Sequence, residues 1–150
     1  FPKIKYIYIG FGEEEENLIK LTKELNLQKE VTFLKNVNAE DKIALLVKSN
    51  LFLMPSRIEK KSVEGFGISF VEAASYGVGS IGGKDGGGPD AVLHNETGLI
   101  CDGNDLGSIY DSVIKFFENE NFIEYGKNAK IFSEDFYWGK VVKNYLKLIN

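Results

Sequence analysis

Two glutamates, Glu64 and Glu72, bracket the stretch Gly65-Phe66-Gly67-Ile68-Ser69-Phe70-Val71. The stretch reads as a loop ending in glycines that opens straight into a helix. Ile68 to Tyr76 contains no breaker, and Gly77 stands where a left-handed residue would close the helix. A helix start offers unpaired N–H groups and a partial positive charge, which suits an anion. Carboxylates on either side accept hydrogen bonds from hydroxyls. A ligand with hydroxyl groups flanking a phosphate, such as a nucleotide sugar, fits both features. Glu72 sits among Phe70, Val71, Ala73 and Ala74, and a carboxylate buried there needs donors. Sugar and ribose hydroxyls would supply them. The alternative is a lysine from a neighbouring helix, with Glu64 a solvated loop residue.

The elements that must position this stretch follow from the pattern around it. Leu51-Phe52-Leu53-Met54 is a short apolar run closed by Pro55, as a buried strand should be. Ligands of open α/β sheets lie beyond the carboxyl ends of such strands. Upstream, Ile4–Ile9 reads as a strand, Glu13–Asn26 as a helix with Leu18, Leu21 and Leu25 on one face, and Val31–Leu34 as a strand. Asn38 is placed to cap a helix over Ala39–Lys48. Downstream, Val78–Ile81 and Leu99–Cys101 read as strands. Three helical repeats follow, carried by Leu106 to Phe117, Phe122 to Phe132 and Val141 to Ile149. Alternating apolar runs and helices predict about five parallel strands in an α/β fold, a Rossmann-like parallel sheet flanked by helices.

Two glycine clusters invite nucleotide readings that fail on inspection. Gly10-Phe11-Gly12 lacks the third glycine of a dinucleotide fingerprint, because Glu15 occupies that position. Glu13 to Glu16 suit the helix dipole by ~0.3–1 kcal/mol each when exposed, yet would repel a pyrophosphate. Gly82-Gly83-Lys84-Asp85-Gly86-Gly87-Gly88 is not a P-loop: Val78 stands where its first glycine belongs, and Asp85 replaces the hydroxyl residue that binds magnesium. What survives is a flexible loop at a second helix start, opened by Pro89, where backbone can approach a sugar or phosphate closely. Arg57, Lys60 and Lys61, just before Glu64, either meet a donor's diphosphate or an acidic acceptor, or stand in solvent.

Composition narrows the classes. One chain of 150 residues is one domain by size and buries about 68–70% of its unfolded surface. A formal charge of -4 gives no basic footprint for nucleic acid. One cysteine forbids an internal disulfide, and with one histidine it leaves no His/Cys metal cluster. Cys101 reads as packed apolar surface and His94 as a surface or capping residue. A reducing, cytoplasmic setting fits, and no run approaches the ~18 apolar residues of a membrane span.

The glutamate pair, with Gly65-Phe66-Gly67 after the first, resembles the E-x7-E motif of family-4-type retaining glycosyltransferases of the GT-B fold. Tyr8-Ile9-Gly10-Phe11-Gly12, Phe52-Leu53-Met54-Pro55-Ser56, Gly87-Gly88-Pro89-Asp90-Ala91-Val92 and Glu96-Thr97-Gly98-Leu99-Ile100 agree with it in order and spacing. The resemblance implies that residues 1–150 are the C-terminal, donor-nucleotide-binding half of a GT-B enzyme, lacking its first βα unit and its N-terminal acceptor domain. It implies transfer from a nucleotide-diphosphate sugar to a glycan or lipid acceptor, with retention and without a metal or other cofactor. Glu64 would hold the donor sugar and is the catalytic candidate. Glu72 would hold the ribose diol, Gly65, Phe66, Gly67 and Ile68 the diphosphate, Asn36 and Val37 the base, and Gly87 and Gly88 the sugar side of the pocket.

The Gly-Gly-x-Pro-Asp-Ala-Val wording is similar to a branch that includes mannosyltransferases using GDP-mannose. Departures are Lys35, where the family has glycine, Gly79, where it has proline, and Asp90, where it has glutamate. The family's Arg/Lys pair on the donor phosphates would lie upstream of Phe1, and its acceptor histidine in the other domain, so the isolated chain is expected to bind nucleotide weakly and transfer nothing. The full enzyme is expected in the cytoplasm, at the inner face of the membrane where its other domain binds there. Two other classes stay open at this point: an NAD-binding Rossmann-type redox domain using Gly10-Phe11-Gly12, and a non-catalytic flavodoxin-like interaction module. Phe136-Tyr137-Trp138 resembles the family's aromatic step before its last helix and is expected in the core or at a domain-docking face.

Overall fold

A computed structural model describes residues 4–59 and 62–149. The readings that fall on Phe1-Pro2-Lys3 and on Lys60 and Lys61 lie outside the described residues. The chain divides into two compact units, Phe1–Lys42 and Ile43–Asn150, the division falling inside α2 (Ala39–Lys48).

In the first unit β1 (Tyr6–Ile9) and β2 (Val31–Leu34) pair in parallel, Tyr6 opposite Val31 and Ile9 opposite Leu34. Between them runs α1 (Glu15–Glu24), shorter at both ends than its periodicity predicts. Glu14 is its N-cap, its carboxylate accepting from Asn17 Nδ2 at 2.8 Å rather than capping the backbone, and Asn26 turns left-handed at φ +56° just past the helix. Asn38 does cap α2: its Oδ1 accepts from the Asp41 N–H at 2.8 Å, and its Nδ2 donates to Asp41 Oδ2 at 2.9 Å.

The second unit holds a parallel sheet in the order β3 (Phe52–Met54), β4 (Ser80–Gly83), β5 (Gly98–Cys101). The expected α/β architecture is present, and among the described residues five strands form two hydrogen-bonded sheets, one in each unit. α3 (Ile68–Ser75) crosses from β3 to β4, α4 (Gly88–Ala91) from β4 to β5, and α5 (Leu106–Phe117), α6 (Asn121–Ser133) and α7 (Trp138–Leu146) follow. Short 3-10 turns at Glu118–Glu120 and Glu134–Phe136 join the last three.

One strand is displaced from its sequence reading. β4 begins at Ser80 and includes Gly82 and Gly83, which the apolar pattern assigns to the following loop. Both pair with β5, and a Cβ on Gly83 would overlap the Ser56 carbonyl. Gly83 is a strand residue with the Ser56 backbone lying against it, and Gly82 one with the side chains of Phe70 and Ile100 packed over it.

The core forms around this sheet. Ile81, Leu99, Cys101, Phe116 and Tyr125 make one buried cluster, Leu46, Ala73 and Val78 a second, and Phe70, Ala91 and Val92 a third. Phe52 meets the edge of Phe70 at a centroid distance of 5.5 Å, tying β3 to α3. α6 packs on α3 so closely that a Cβ on Gly126 would overlap the Gly77 carbonyl. Gly77 itself is left-handed at φ +76°, as the end of α3 requires.

Cys101 is buried in the first cluster, its Sγ 3.5 Å from the Gly82 carbonyl. Burial, with Asp102 adding to it, pushes its thiol above the usual range. The folded protein is therefore expected to resist a small alkylating thiol reagent and to react once denatured, which a mass-shift assay reads directly. Fast labelling under native conditions would contradict the packing. At the far end of the chain Tyr137 and Trp138, expected in the core or at a domain-docking face, are 56% and 81% exposed and so stand outside the core. Among the described residues no helix is long and apolar enough to cross a membrane.

Candidate functional site

The loops that follow β3, β4 and β5 all leave the carboxyl edge of one parallel sheet, so their residues gather at one end of it. The β3 loop carries Glu64, half-buried, then the exposed Gly65 and Phe66 and the buried Gly67. Gly67 is the N-cap of α3 at φ +85°, ψ +50°, and no side chain caps this helix. A Cβ on Gly67 would meet the Phe70 ring at 2.5 Å, so glycine is needed for both the turn and the space. The first helical hydrogen bond after it runs from the Phe70 N–H to the Gly67 carbonyl at 2.9 Å. The N–H groups of Ile68 and Ser69 therefore precede the ladder, on residues that are exposed. Glu72 lies half-buried in the second turn.

The β4 loop docks onto this segment through backbone. The Gly87 N–H donates to the Glu64 carbonyl at 3.0 Å. A Cβ on Gly86 would overlap that same carbonyl, and one on Gly87 would overlap the Gly65 carbonyl and the Phe66 Cα. Gly88, buried, faces the Gly83 carbonyl. The structure thus brings Glu64, Gly65, Phe66, Gly67, Ile68, Gly87 and Gly88 to one place. Asn36, left-handed at φ +53°, and Val37 stand in the first unit beside Lys35, whose Nζ holds Glu15 at 2.7 Å.

Sequence reasoning missed the brace behind these loops. Lys84 Nζ donates to Asp102 Oδ2 at 2.6 Å, joining the β4 loop to the β5 loop. The hydrogen bond to Asp102 raises the Lys84 ammonium above its ordinary value, and the same bond from Lys84 lowers the Asp102 carboxyl. Asp85 Oδ2 accepts from the Ile58 N–H and from Asn104 Nδ2, each at 3.4 Å. Gly103 lies against the carbonyls of Pro55 and Ser56. Arg57 reaches Glu59 at 3.6 Å. Apart from Arg57–Glu59, these pairings join positions 18 or more residues apart along the chain, and nothing local in the sequence marks them. His94 serves the structure of the turn before β5, where its Nδ1 accepts from the Ile100 N–H at 2.9 Å.

Two open clefts lie elsewhere. One of about 440 Å³ is lined by His94, Asp105, Asp111 and Lys115 among others, and one of about 470 Å³ by Leu93, Glu96, Asn128, Phe132 and Lys140 among others. Neither includes Glu64 or Glu72. Among the described residues no group of three or more His, Cys, Asp or Glu side chains is placed to hold a metal ion.

Residues 1–131 match the family described as "Glycosyl transferases group 1". The chain belongs to the group 1 glycosyl transferases. It is 37% identical over 109 residues to a GDP-mannose-dependent alpha-(1-6)-phosphatidylinositol monomannoside mannosyltransferase of Mycobacterium tuberculosis, a match covering 71% of this chain and 28% of the relative. It is 34% identical over 117 residues to the N-acetyl-alpha-D-glucosaminyl L-malate synthase of Bacillus anthracis, covering 77% of this chain and 29% of that enzyme. The chain therefore spans less than a third of the length of these relatives.

Solved structures agree in fold. Anabaena Alr3699/HepE in complex with UDP superposes with a TM-score of 0.75 at 22% identity, over 90% of this chain and 37% of that one. The pneumococcal O-GlcNAc transferase GtfA in complex with UDP and GlcNAc gives 0.79 at 13% identity, over 99% and 29%. The fold is that of one half of a GT-B glycosyltransferase.

Proposed function

We propose that this chain is the donor-binding half of a retaining glycosyltransferase that moves a sugar from a nucleotide-diphosphate donor to a glycan or lipid acceptor. The observation that carries the reading is the start of α3, an uncapped helix N-terminus at a left-handed glycine, with one half-buried carboxylate before it and another in its second turn. Its N–H groups at Ile68 and Ser69 stabilise the charge that grows on the departing diphosphate. Glu64 takes the donor sugar's hydroxyls and Glu72 the ribose diol. No metal enters this scheme, because helix charge does the work at the leaving group. The acceptor site belongs to another domain, and with it any attachment to the inner face of a membrane.

GDP is the first nucleotide to test, since the mycobacterial relative at 37% identity is named as GDP-mannose-dependent; the solved relatives that hold UDP make UDP the second. The experiment is thermal unfolding of the chain with GDP, UDP, ADP and NAD, each near 100 times its dissociation constant. Such a ligand adds ~2.7 kcal/mol, which moves the midpoint of a domain this size by roughly 5–10 °C. One nucleoside diphosphate is expected to give that shift and so to name the base. A shift with NAD alone would move the site to Gly10-Phe11-Gly12 and overturn the proposal.

A further inference from the structure

Phe66 is the one aromatic side chain between Glu64 and the start of α3, and it is flanked by glycines that leave the backbone free to move. A Cβ on Gly65 would touch nothing within 4 Å, and Gly67 is left-handed. Among the described residues, backbone hydrogen bonding from outside the segment fixes the loop at one point, where the Gly87 N–H meets the Glu64 carbonyl. Its next anchor is a ring contact. Phe66 packs on Phe136 at a centroid distance of 5.5 Å, and Phe136 meets Phe132 edge-on at 5.0 Å.

Phe132 is a fixed platform. It sits on α6, which packs against α3 with glycine-close approach at Gly126 and Gly77. Phe136 ends the 3-10 turn after α6, and that turn is pinned by Lys140, whose Nζ lies 3.1 Å from Asp135 Oδ1 and 4.0 Å from Glu134 Oε2. The chain of contacts closes a ring, from α3 through α6 to Phe132, Phe136, Phe66 and the start of α3 again. A side chain seventy residues downstream thereby contacts the ring that stands between Gly65 and Gly67.

We infer that Phe136 is a positioning residue for the diphosphate site: through Phe66 it holds the backbone N–H groups at the start of α3 in register with the donor. The inference rests on the reading of α3 given under Proposed function. Phe136 touches no substrate in this scheme, and its effect passes entirely through the Phe66 ring.

The test is a double-mutant cycle in the full chain, read by nucleoside-diphosphate affinity and by amide exchange. Phe136→Leu is expected to raise the dissociation constant roughly 3- to 10-fold, the worth of one lost aromatic pair, and to speed exchange at residues 66–69 while α6 exchanges as before. Phe136→Tyr, which keeps the ring, is expected to restore both. In a Phe66→Leu background, Phe136→Leu is expected to add nothing. Unchanged affinity in Phe136→Leu, or losses that add in the double variant, would overturn the inference while leaving the donor reading intact. Faster exchange throughout α6 would also overturn it, since Phe136 would then be a general packing residue. Absence of binding in the unmodified chain would sink the donor reading, and this inference with it.

Discussion

Gly65→Ala is expected to leave the fold standing and to weaken nucleoside-diphosphate binding roughly tenfold or more, whereas Gly87→Ala is expected to lower stability itself. The two glycines face each other across the junction of the β3 and β4 loops, yet the protein uses them differently. A Cβ on Gly65 meets no atom within 4 Å and its φ is not in the left-handed region, so alanine fits and stiffens the unfolded chain, a gain of ~0.4–1 kcal/mol. The fold alone gives no reason for glycine there, and a ligand lying on the α3 start does: a methyl group between backbone and diphosphate costs at least about 1.4 kcal/mol of contact, which is the tenfold factor. A Cβ on Gly87 overlaps the Gly65 carbonyl and the Phe66 Cα, both backbone, which cannot rotate aside. Overpacking of that kind costs about 1–3 kcal/mol, or a midpoint lower by roughly 2–12 °C. Scanning calorimetry with and without nucleotide separates the two effects. Full affinity in Gly65→Ala would show that no ligand approaches that backbone and would remove the β3 loop from the site.

The contrast also shows what sequence can carry. The order of strands and helices was legible because periodicity and caps are local: Asn38 caps α2, Gly77 ends α3, and Gly67 opens it, each decided by neighbours within one helical turn. Gly82 and Gly83 were not, because they look like loop residues and are strand residues only by virtue of Ser56 lying against one of them and β5 pairing with both. Phe136-Tyr137-Trp138 reads as core or domain-docking, and tertiary packing rather than any local pattern leaves Trp138 81% exposed at the start of α7.

The site divides along the same line. The glutamate pair and the helix start are one continuous segment, so their spacing alone brings them together. The docking of Gly86 and Gly87 on that segment, the Lys84–Asp102 brace and the Phe66–Phe136 contact join residues far apart in the chain, and no local pattern encodes them. The glycines of the β4 loop read in the sequence as a place where backbone can approach a sugar or phosphate closely. What approaches Gly87 is the protein's own backbone, which a sequence cannot distinguish from a ligand.

The two glutamates are expected to separate when each loses its charge. If Glu72 holds the ribose diol, Glu72→Gln weakens a nucleoside diphosphate and its sugar conjugate alike, because the ribose is common to both. If Glu64 holds the transferred sugar, Glu64→Gln leaves the nucleoside diphosphate bound as before and weakens only the sugar conjugate and its transfer. Hydrogen bonds to a charged group contribute roughly 1.5–3 kcal/mol, so each loss should fall between about 10- and 150-fold. Glutamine keeps the size of the side chain and one acceptor oxygen, so neither half-buried position should unfold the protein. Calorimetric titration of both variants with the diphosphate and with the intact donor gives four affinities and one pattern. Loss of diphosphate binding in Glu64→Gln, or equal losses in both variants for both ligands, would mean that the carboxylates act together on one part of the donor, and the assignment of sugar to one and ribose to the other would fall. The expected pattern would instead orient the donor along α3, with its nucleoside toward Glu72, its sugar toward Glu64 and its diphosphate at the N–H groups of Ile68 and Ser69, where the leaving-group charge develops.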